Sequence, residues 1–273
     1  MGVNLLAVER SDDDIAVLLE ANATIERAYL QQDSGCVSYV VTQRSRRLFV
    51  KSARTDAGQD SLRRAEALHR AIRHPVLPRL LHTFRAADAP VHVYEGVPGE
   101  ILYDYVSMDG ERGRSDPSSP HRRFRNLPVG RILEALDAVF NLHVAIAAAG
   151  FVAVDFYDGC ILHDFDGHRT WVCDLDEYRP GPFNLDAERL PGSRRFMAPE
   201  ELVRDSTIDQ RTNVFTLGRT AAVFLGGGNL NSPDWRGGEA LREVARRATS
   251  PERVRRYETV AGFVKAWGRA AGS

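Results

Sequence analysis

The sequence predicts an α+β fold in two lobes, a β-rich first third followed by a helix-rich remainder. Three observations predict it. Short apolar, β-rich runs crowd the chain before residue 95. A glycine- and proline-bearing stretch, 96–99, then interrupts the pattern, and long segments with apolar residues at helical spacing follow residue 130. Strands alternate in-out with a period of two and helices with a period of 3.6, so the change of period marks the change of architecture. The lobes are therefore assigned to residues 1–95 and 100–273, with 96–99 as the hinge.

The first hairpin is expected from Val37–Val41 and Leu48–Ser52, joined by the arginine-rich Gln43–Arg47 turn. Leu62, Ala65, Leu68 and Ile72 then stand at helical spacing between Ser61 and Arg73, and His74-Pro75 stops that helix. Leu80–Phe84 and Val91–Glu95, with a turn near Asp88, read as a second hairpin. Residues 107–128 are dense in Gly, Ser, Pro and Arg and read as a lid-like surface insertion. Arg131–Ala149 has a continuous apolar face, and Gly150 closes it as a helix stop. Strands are expected at Cys160–Phe165 and Thr170–Asp174 around an Asp166-Gly167 turn. Helices are expected at Val214–Phe224, Glu239–Ala248 and Val260–Ala270.

Composition narrows the function. With 36 Lys plus Arg against 37 Asp plus Glu, the charge is balanced, which argues against nucleic acid as a bulk partner. No run reaches eighteen uncharged apolar residues, so no membrane span and no membrane partner are expected. The N-terminus lacks a basic-then-apolar export pattern, and Cys36, Cys160 and Cys173 are scattered outside metal-ligand spacing. They read as free thiols in a reducing, cytoplasmic setting.

Chemistry concentrates at four residues. Lys51 ends the apolar strand Leu48-Phe49-Val50, and Glu66 lies on the next helix as an anionic partner for a buried ammonium. Asp155 follows Phe151-Val152-Ala153-Val154, and Asp174 follows Trp171-Val172-Cys173. The hairpin between the two acids can bring them together. A cation, a metal-holding carboxylate and a carboxylate that orients a hydroxyl are what phosphoryl transfer requires of a protein.

These pieces stand in an order that resembles the protein-kinase superfamily, in the small bacterial form that includes serine/threonine kinases and antibiotic phosphotransferases. The resemblance runs through Phe49-Val50-Lys51, Glu66 with His74-Pro75, and Tyr94-Glu95-Gly96-Val97-Pro98-Gly99. It continues through Asp155, Asp174-Leu175-Asp176, Gly192-Ser193-Arg194-Arg195-Phe196-Met197-Ala198-Pro199-Glu200 and Asn213-Val214-Phe215-Thr216-Leu217-Gly218. The Phe-Met-Ala-Pro-Glu string is the most specific single match. The resemblance implies a bilobal protein-kinase-like fold and an ATP-dependent phosphotransferase with ATP and Mg²⁺ as cofactors. Lys51 would hold the α/β-phosphates, Glu66 would orient Lys51, Asp174 would bind magnesium, and Asp155 would be base or orienter. Ser34, Gly35, Glu95 and Val97 would contact the nucleotide, and Glu200 would pair with a late arginine, Arg256, as a strut.

The sequence also departs from that family. Gly35 stands where a glycine-rich loop has three glycines, and Ala153-Val154 replaces the usual His-Arg, which argues against phosphorylation-gated activation. Cys160 stands where an asparagine holds the second magnesium, so the expectation is that either Asp158 or Asp176 takes that duty or the second metal is weakly held. Tyr157 replaces a lysine that neutralises the transferring group. A cationic acceptor, met by Asp158, Glu177 and Asp186, would supply that charge. The leading expectation is therefore a small, cationic, antibiotic-type hydroxyl acceptor. A serine/threonine protein kinase with a protein acceptor is the alternative, and a nucleotide-binding pseudokinase is the third reading.

Overall fold

The structure, a computed structural model, describes residues 2–104 and 110–272, with the side chains of 110–112 left aside. The chain divides into two units, Met1–Pro98 and Gly99–Ser273, and the boundary falls inside the 96–99 stretch. It is a mixed α+β protein, sheet-rich at first and helical later.

The first unit runs β1 (Arg10–Ser11), α1 (Ile15–Asn22), β2 (Thr24–Tyr29), β3 (Cys36–Gln43), β4 (Arg46–Ala53), α2 (Asp56–Ala71), β5 (Leu80–Ala86) and β6 (Ala89–Glu95). Its six-stranded sheet has the order β1-β5-β6-β4-β3-β2, antiparallel except for the β1–β5 pair. Both hairpins close more tightly than the sequence suggests. Arg44 and Ser45 (φ 50° and 63°), like Ala87 and Asp88 (φ 43° and 63°), adopt left-handed backbone. Two such residues make the turn whose twist matches the flanking strands, so Gln43, Arg46 and Arg47 join the ladder. Leu5, Val8, Ile15, Leu18 and Leu19 cover Tyr39, Val41, Leu48, Val50 and Val93 on one face of the sheet. Helix α2 begins five residues before the expected Ser61, because the Thr55 side chain accepts from Gly58 N–H and caps it.

The second unit contains β7 (Glu100–Ile101), α3 (Gly110–Ser115), α4 (Pro120–Asn126), α5 (Val129–Ala148), β8 (Phe151–Val152), a 3₁₀ turn (Asp158–Cys160), β9 (Ile161–Asp164) and β10 (Arg169–Val172). Then come β11 (Arg179–Pro180), β12 (Phe183–Asn184), a second 3₁₀ turn (Pro199–Leu202), β13 (Thr207–Ile208), α6 (Gln210–Gly226), α7 (Gly238–Ala248) and α8 (Val260–Ala271). Helix α6 is the spine: from Thr212 to Gly226 every residue except Arg219 is buried. Gly218 lets α7 approach, since a methyl group there would lie 2.7 Å from Ala248 Cβ. The rings of Phe140, Phe263 and Trp267 lock α5 to α8 at centroid distances of 5.1–5.3 Å.

The expected lid is corrected in its described part; residues 107–109 lie outside the described residues. Residues 110–126 supply two helices rather than an irregular excursion. Ser119 caps α4 by accepting from Arg122 N–H, and Pro120 occupies the first turn, where its missing N–H costs nothing. Phe124 is 1% exposed, with its ring 4.8 Å from that of Phe224. Burial of that ring outweighs the polar composition around it. Glu200 and Arg256 form a buried bidentate pair at 2.6 and 2.9 Å, reinforced by Thr212 Oγ1 donating to Glu200 at 2.9 Å. Among the described residues, no helix is long and apolar enough to cross a membrane.

Candidate functional site

In the first unit Lys51 lies toward the end of β4, paired across the ladder with Ser38 and His92, and is only 4% exposed. Burial pulls the His92 imidazole down to about 4, and the nearby charges of His69 and Lys51 act in the same direction. A neutral histidine therefore flanks the lysine. Glu66 lies on α2 with Arg70 Nη2 at 2.5 Å, one helical turn away. Gly35 has a local reason to be glycine: its φ is +71°, and a methyl group there would sit 2.1 Å from Thr55 Oγ1. Its carbonyl accepts from Arg54 N–H at 2.8 Å, so this turn is fastened to the start of α2, and Ser34 beside it is half-buried. Glu95 accepts from Arg79 at 3.1 Å, and the Val97 carbonyl accepts from Arg47 at 3.2 Å.

In the second unit the turn after β8 carries Asp155, and the segment after β10 carries Asp174. Both have left-handed backbone, with φ of 61° and 58°. Arg44, Ser45, Ala87, Asp88 and His168 share that conformation inside hairpin turns, where it is expected. The two aspartates have it outside any hairpin turn, as does Asp205 (φ 63°) between the second 3₁₀ turn and β13. An L-residue there costs about 1 kcal/mol, least for Asp and Asn, and persists only where surrounding contacts impose it.

Those contacts are identifiable. Asn213, buried on α6, accepts from Ala153 N–H at 3.0 Å and donates to Ala153 C=O at 2.7 Å. The Cys160 thiol donates to the Asp155 carbonyl at 3.2 Å, while the Cys160 carbonyl accepts from Cys173 N–H at 2.8 Å. Cys160 thus ties the backbone at Asp155 to the residue before Asp174. Burial, then the charges of Asp174 and Asp155, push the thiol well above its ordinary value. The phenol of Tyr157 is raised too, by burial first, then by Cys160 and the charges of Asp174 and Asp155. The backbone at Asp155 and the residue before Asp174 thus meet at Cys160, and the charges of both acids act on its thiol.

Gly192 (φ +132°) lies against the base of this turn, where a methyl group would come 3.3 Å from Asp155 Oδ1. A small cavity of about 10 Å³, room for about one water, is lined by Asp155, Gly192, Ser193, Phe196, Glu201 and Thr216 among others. Glu201 is 4% exposed and accepts from Ala198 N–H at 2.6 Å. Burial raises its carboxyl to about 8, with the charges of Glu200 and Asp155 adding to the effect. Sequence reading missed Glu201 and Asn213, although a polar Asn213 opening the apolar run Val214–Leu217 was the available signal.

Asp158 requires a correction. It was expected as a metal and acceptor ligand, yet it is fully buried and accepts from Arg114 Nε at 2.7 Å and Nη2 at 3.0 Å. His121 Nδ1 lies 3.0 Å from it, and the Arg114 guanidinium stacks 3.5 Å above the Tyr103 ring centroid. Burial pushes the Asp158 carboxyl up, but the bonds and charges of Arg114 and His121 outweigh it and hold it below its usual range. This is an internal strut rather than a ligand. Glu177 has Arg179 at 3.1 Å, Asp176 is 5% exposed, and Asp186 is exposed. His143, by contrast, is a satisfied core residue, bonded to Val139 C=O at 2.8 Å and to the Tyr178 hydroxyl at 3.0 Å.

Magnesium takes hard oxygen ligands and keeps several waters, so one or two carboxylates beside substrate phosphates suffice. Asp174, with Asp155 near it, offers such oxygens. The Cys160 thiol keeps its proton and Asp158 is engaged elsewhere, so the donor set fits one hard cation and not a second at Cys160. Among the described residues, no group of three or more His, Cys, Asp or Glu could hold a metal by itself. Comparison with known proteins found no matching family model and no matching curated sequence.

Proposed function

We propose that the protein is an ATP-dependent phosphotransferase of protein-kinase-like, bilobal fold that transfers the γ-phosphoryl group to a hydroxyl. The observation that carries the reading is the pair Asp155 and Asp174, both held in left-handed backbone outside hairpin turns and both acting on Cys160 and Tyr157. Strain of this kind concentrates at functional sites. The buried Lys51 on a central strand supports it further.

In this reading Lys51 binds the α/β-phosphates and Asp174 holds magnesium, which when bound supplies positive charge to the phosphate oxygens. Asp155 accepts a hydrogen bond from the acceptor hydroxyl and orients its oxygen toward the γ-phosphorus. The new oxygen–phosphorus bond forms as the bond to the β,γ-bridging oxygen breaks. ADP leaves, and the hydroxyl proton passes to Asp155 and then to solvent. Glu66, Ser34, Gly35, Glu95, Val97 and Asp176 enter this reading as supporting contacts. The preference for a cationic acceptor loses most of its basis, because Asp158 is enclosed by Arg114 and Glu177 has Arg179 beside it.

The test uses Asp155→Asn and Asp174→Asn, since asparagine tolerates left-handed backbone as aspartate does. Both variants should unfold within about 1 kcal/mol of the wild type, because the strain is unchanged. ATP consumption across a panel of hydroxyl acceptors, small molecules and serine- or threonine-bearing proteins alike, should be lost in both. Full turnover by a folded Asp174→Asn protein would defeat the proposal.

A further inference from the structure

Helix α6 ends at Gly227 and Gly228, both left-handed (φ +67° and +90°), with Gly228 N–H bonded to Ala222 C=O and Gly227 N–H to Val223 C=O. This is an ordinary helix stop, and its carbonyls attract cations. Arg195 Nη2 donates to Gly227 C=O at 3.0 Å, and Arg219 Nη1 donates to Gly228 C=O at 3.0 Å. A helix C-terminus supplies only about half a negative charge, so these two guanidinium groups already exceed it.

A further guanidinium is packed into the same place. A methyl group on Gly227 would lie 3.0 Å from Arg125 Nη2, and one on Gly228 would lie 3.2 Å from Arg195 Nη2. Arg125 comes from α4, is half-buried, and its Nε is enclosed with no hydrogen-bond partner. Burial, then the charges of Arg122, Arg195 and Arg236, pull its guanidinium below its usual value, and Asp234 is the acid that opposes them. Arg236 is held over the end of α4 by donating to the carbonyls of Arg125 and Leu127. Burial and Arg195 act on Arg219 in the same direction. Burying a cation among like charges is costly unless an anion completes the site.

The cluster is joined to the chemistry. Arg195 belongs to the Gly192–Met197 turn, whose Gly192, Ser193 and Phe196 line the cavity at Asp155. We propose that Arg125, with Arg122, Arg195, Arg219 and Arg236 around it, binds an oxyanion, the phosphate or carboxylate group of an anionic acceptor. The assignment of that ligand as acceptor rests on the phosphotransferase reading; the binding of an anion does not. Guanidinium groups match the paired oxygens of either group, which is why the cluster selects a chemistry rather than one compound.

The experiment separates the two. Thermal unfolding of the whole protein is followed with inorganic phosphate against chloride at matched ionic strength, for the wild type and Arg125→Met. Phosphate should raise the wild-type Tm and leave the variant unmoved. Without phosphate the variant should be at least as stable as the wild type, because Arg125 makes no hydrogen bond through its enclosed Nε. Equal effects of phosphate and chloride on the wild type, or a phosphate effect that persists in Arg125→Met, would overturn the site. In turnover assays, small alcohols bearing a phosphate are compared with matched ones bearing a carboxylate, which identifies the source of the oxyanion. Arg125→Met should raise KM for the preferred set about tenfold or more while kcat changes less. Turnover confined to cationic acceptors and indifferent to Arg125→Met would defeat the inference and leave phosphotransfer standing. Phosphate binding lost in Arg125→Met, with no turnover of any acceptor, would support the anion site and defeat the phosphotransferase reading.

Discussion

The Cys160 thiol donates a hydrogen bond to the backbone carbonyl of Asp155 at 3.2 Å, five residues back along the chain. The same residue accepts from Cys173 N–H, next to Asp174. The residue type at 160 is therefore constrained by donor geometry, and a metal ligand there is unnecessary.

Cys160→Ala removes the donor and leaves a small cavity. We expect a stability loss of about 1–2 kcal/mol in urea unfolding, together with a fall in kcat that exceeds any change in ATP binding. Cys160→Asn keeps a donor of similar size and should retain more activity than the alanine variant. Equal turnover by wild type and Cys160→Ala would remove Cys160 from the positioning of Asp155.

Asp158 gives a prediction of the opposite kind. Asp158→Ala leaves Arg114 buried beside His121 without its anion, and breaking such a pair costs about 3–5 kcal/mol. The midpoint in a denaturant titration should drop sharply, and Asp158→Ala combined with Arg114→Met should recover part of it. An unchanged midpoint with an altered magnesium requirement would restore the ligand role instead.

Glu201 sets a pH dependence. Its folded-state value of about 8 lies above the ordinary 4.5, so between those limits the native protein holds more protons than the unfolded chain. Stability is then flat below about 4.5 and falls as pH rises toward about 8, with a slope of at most about 1.4 kcal/mol per unit from this group. Above that range the contribution levels off. Glu201→Gln keeps the acceptor for Ala198 N–H and cannot ionise, so its stability relative to wild type should grow between pH 5 and about 8. Parallel unfolding curves for the two proteins across that range would show that Glu201 does not titrate there.

Much of the fold was legible because its signals are local. The short apolar, β-rich run Leu48-Phe49-Val50 before Lys51 marks a strand, the spacing of Leu62, Ala65 and Leu68 marks α2, and the left-handed Gly150 marks the end of α5. The N-terminal elements β1, α1 and β2 were not. They are short, and β2 is mostly exposed, so it carries little apolar pattern. The helix α4 was hidden because one buried ring, Phe124, decides its packing amid arginines.

By itself the sequence singled out the candidates for chemistry: Lys51 on its strand, and Asp155 and Asp174 after apolar runs separated by a hairpin. The tertiary structure decided which charges are available. Asp158 meets Arg114 from 44 residues away, Asn213 clamps Ala153 across 60, and Arg125 is set against Gly227 by the packing of α4 on the end of α6. Periodicity reports a residue's own backbone neighbours. Whether a buried charge is answered by an opposite one depends on segments distant in the chain, and no local pattern encodes that.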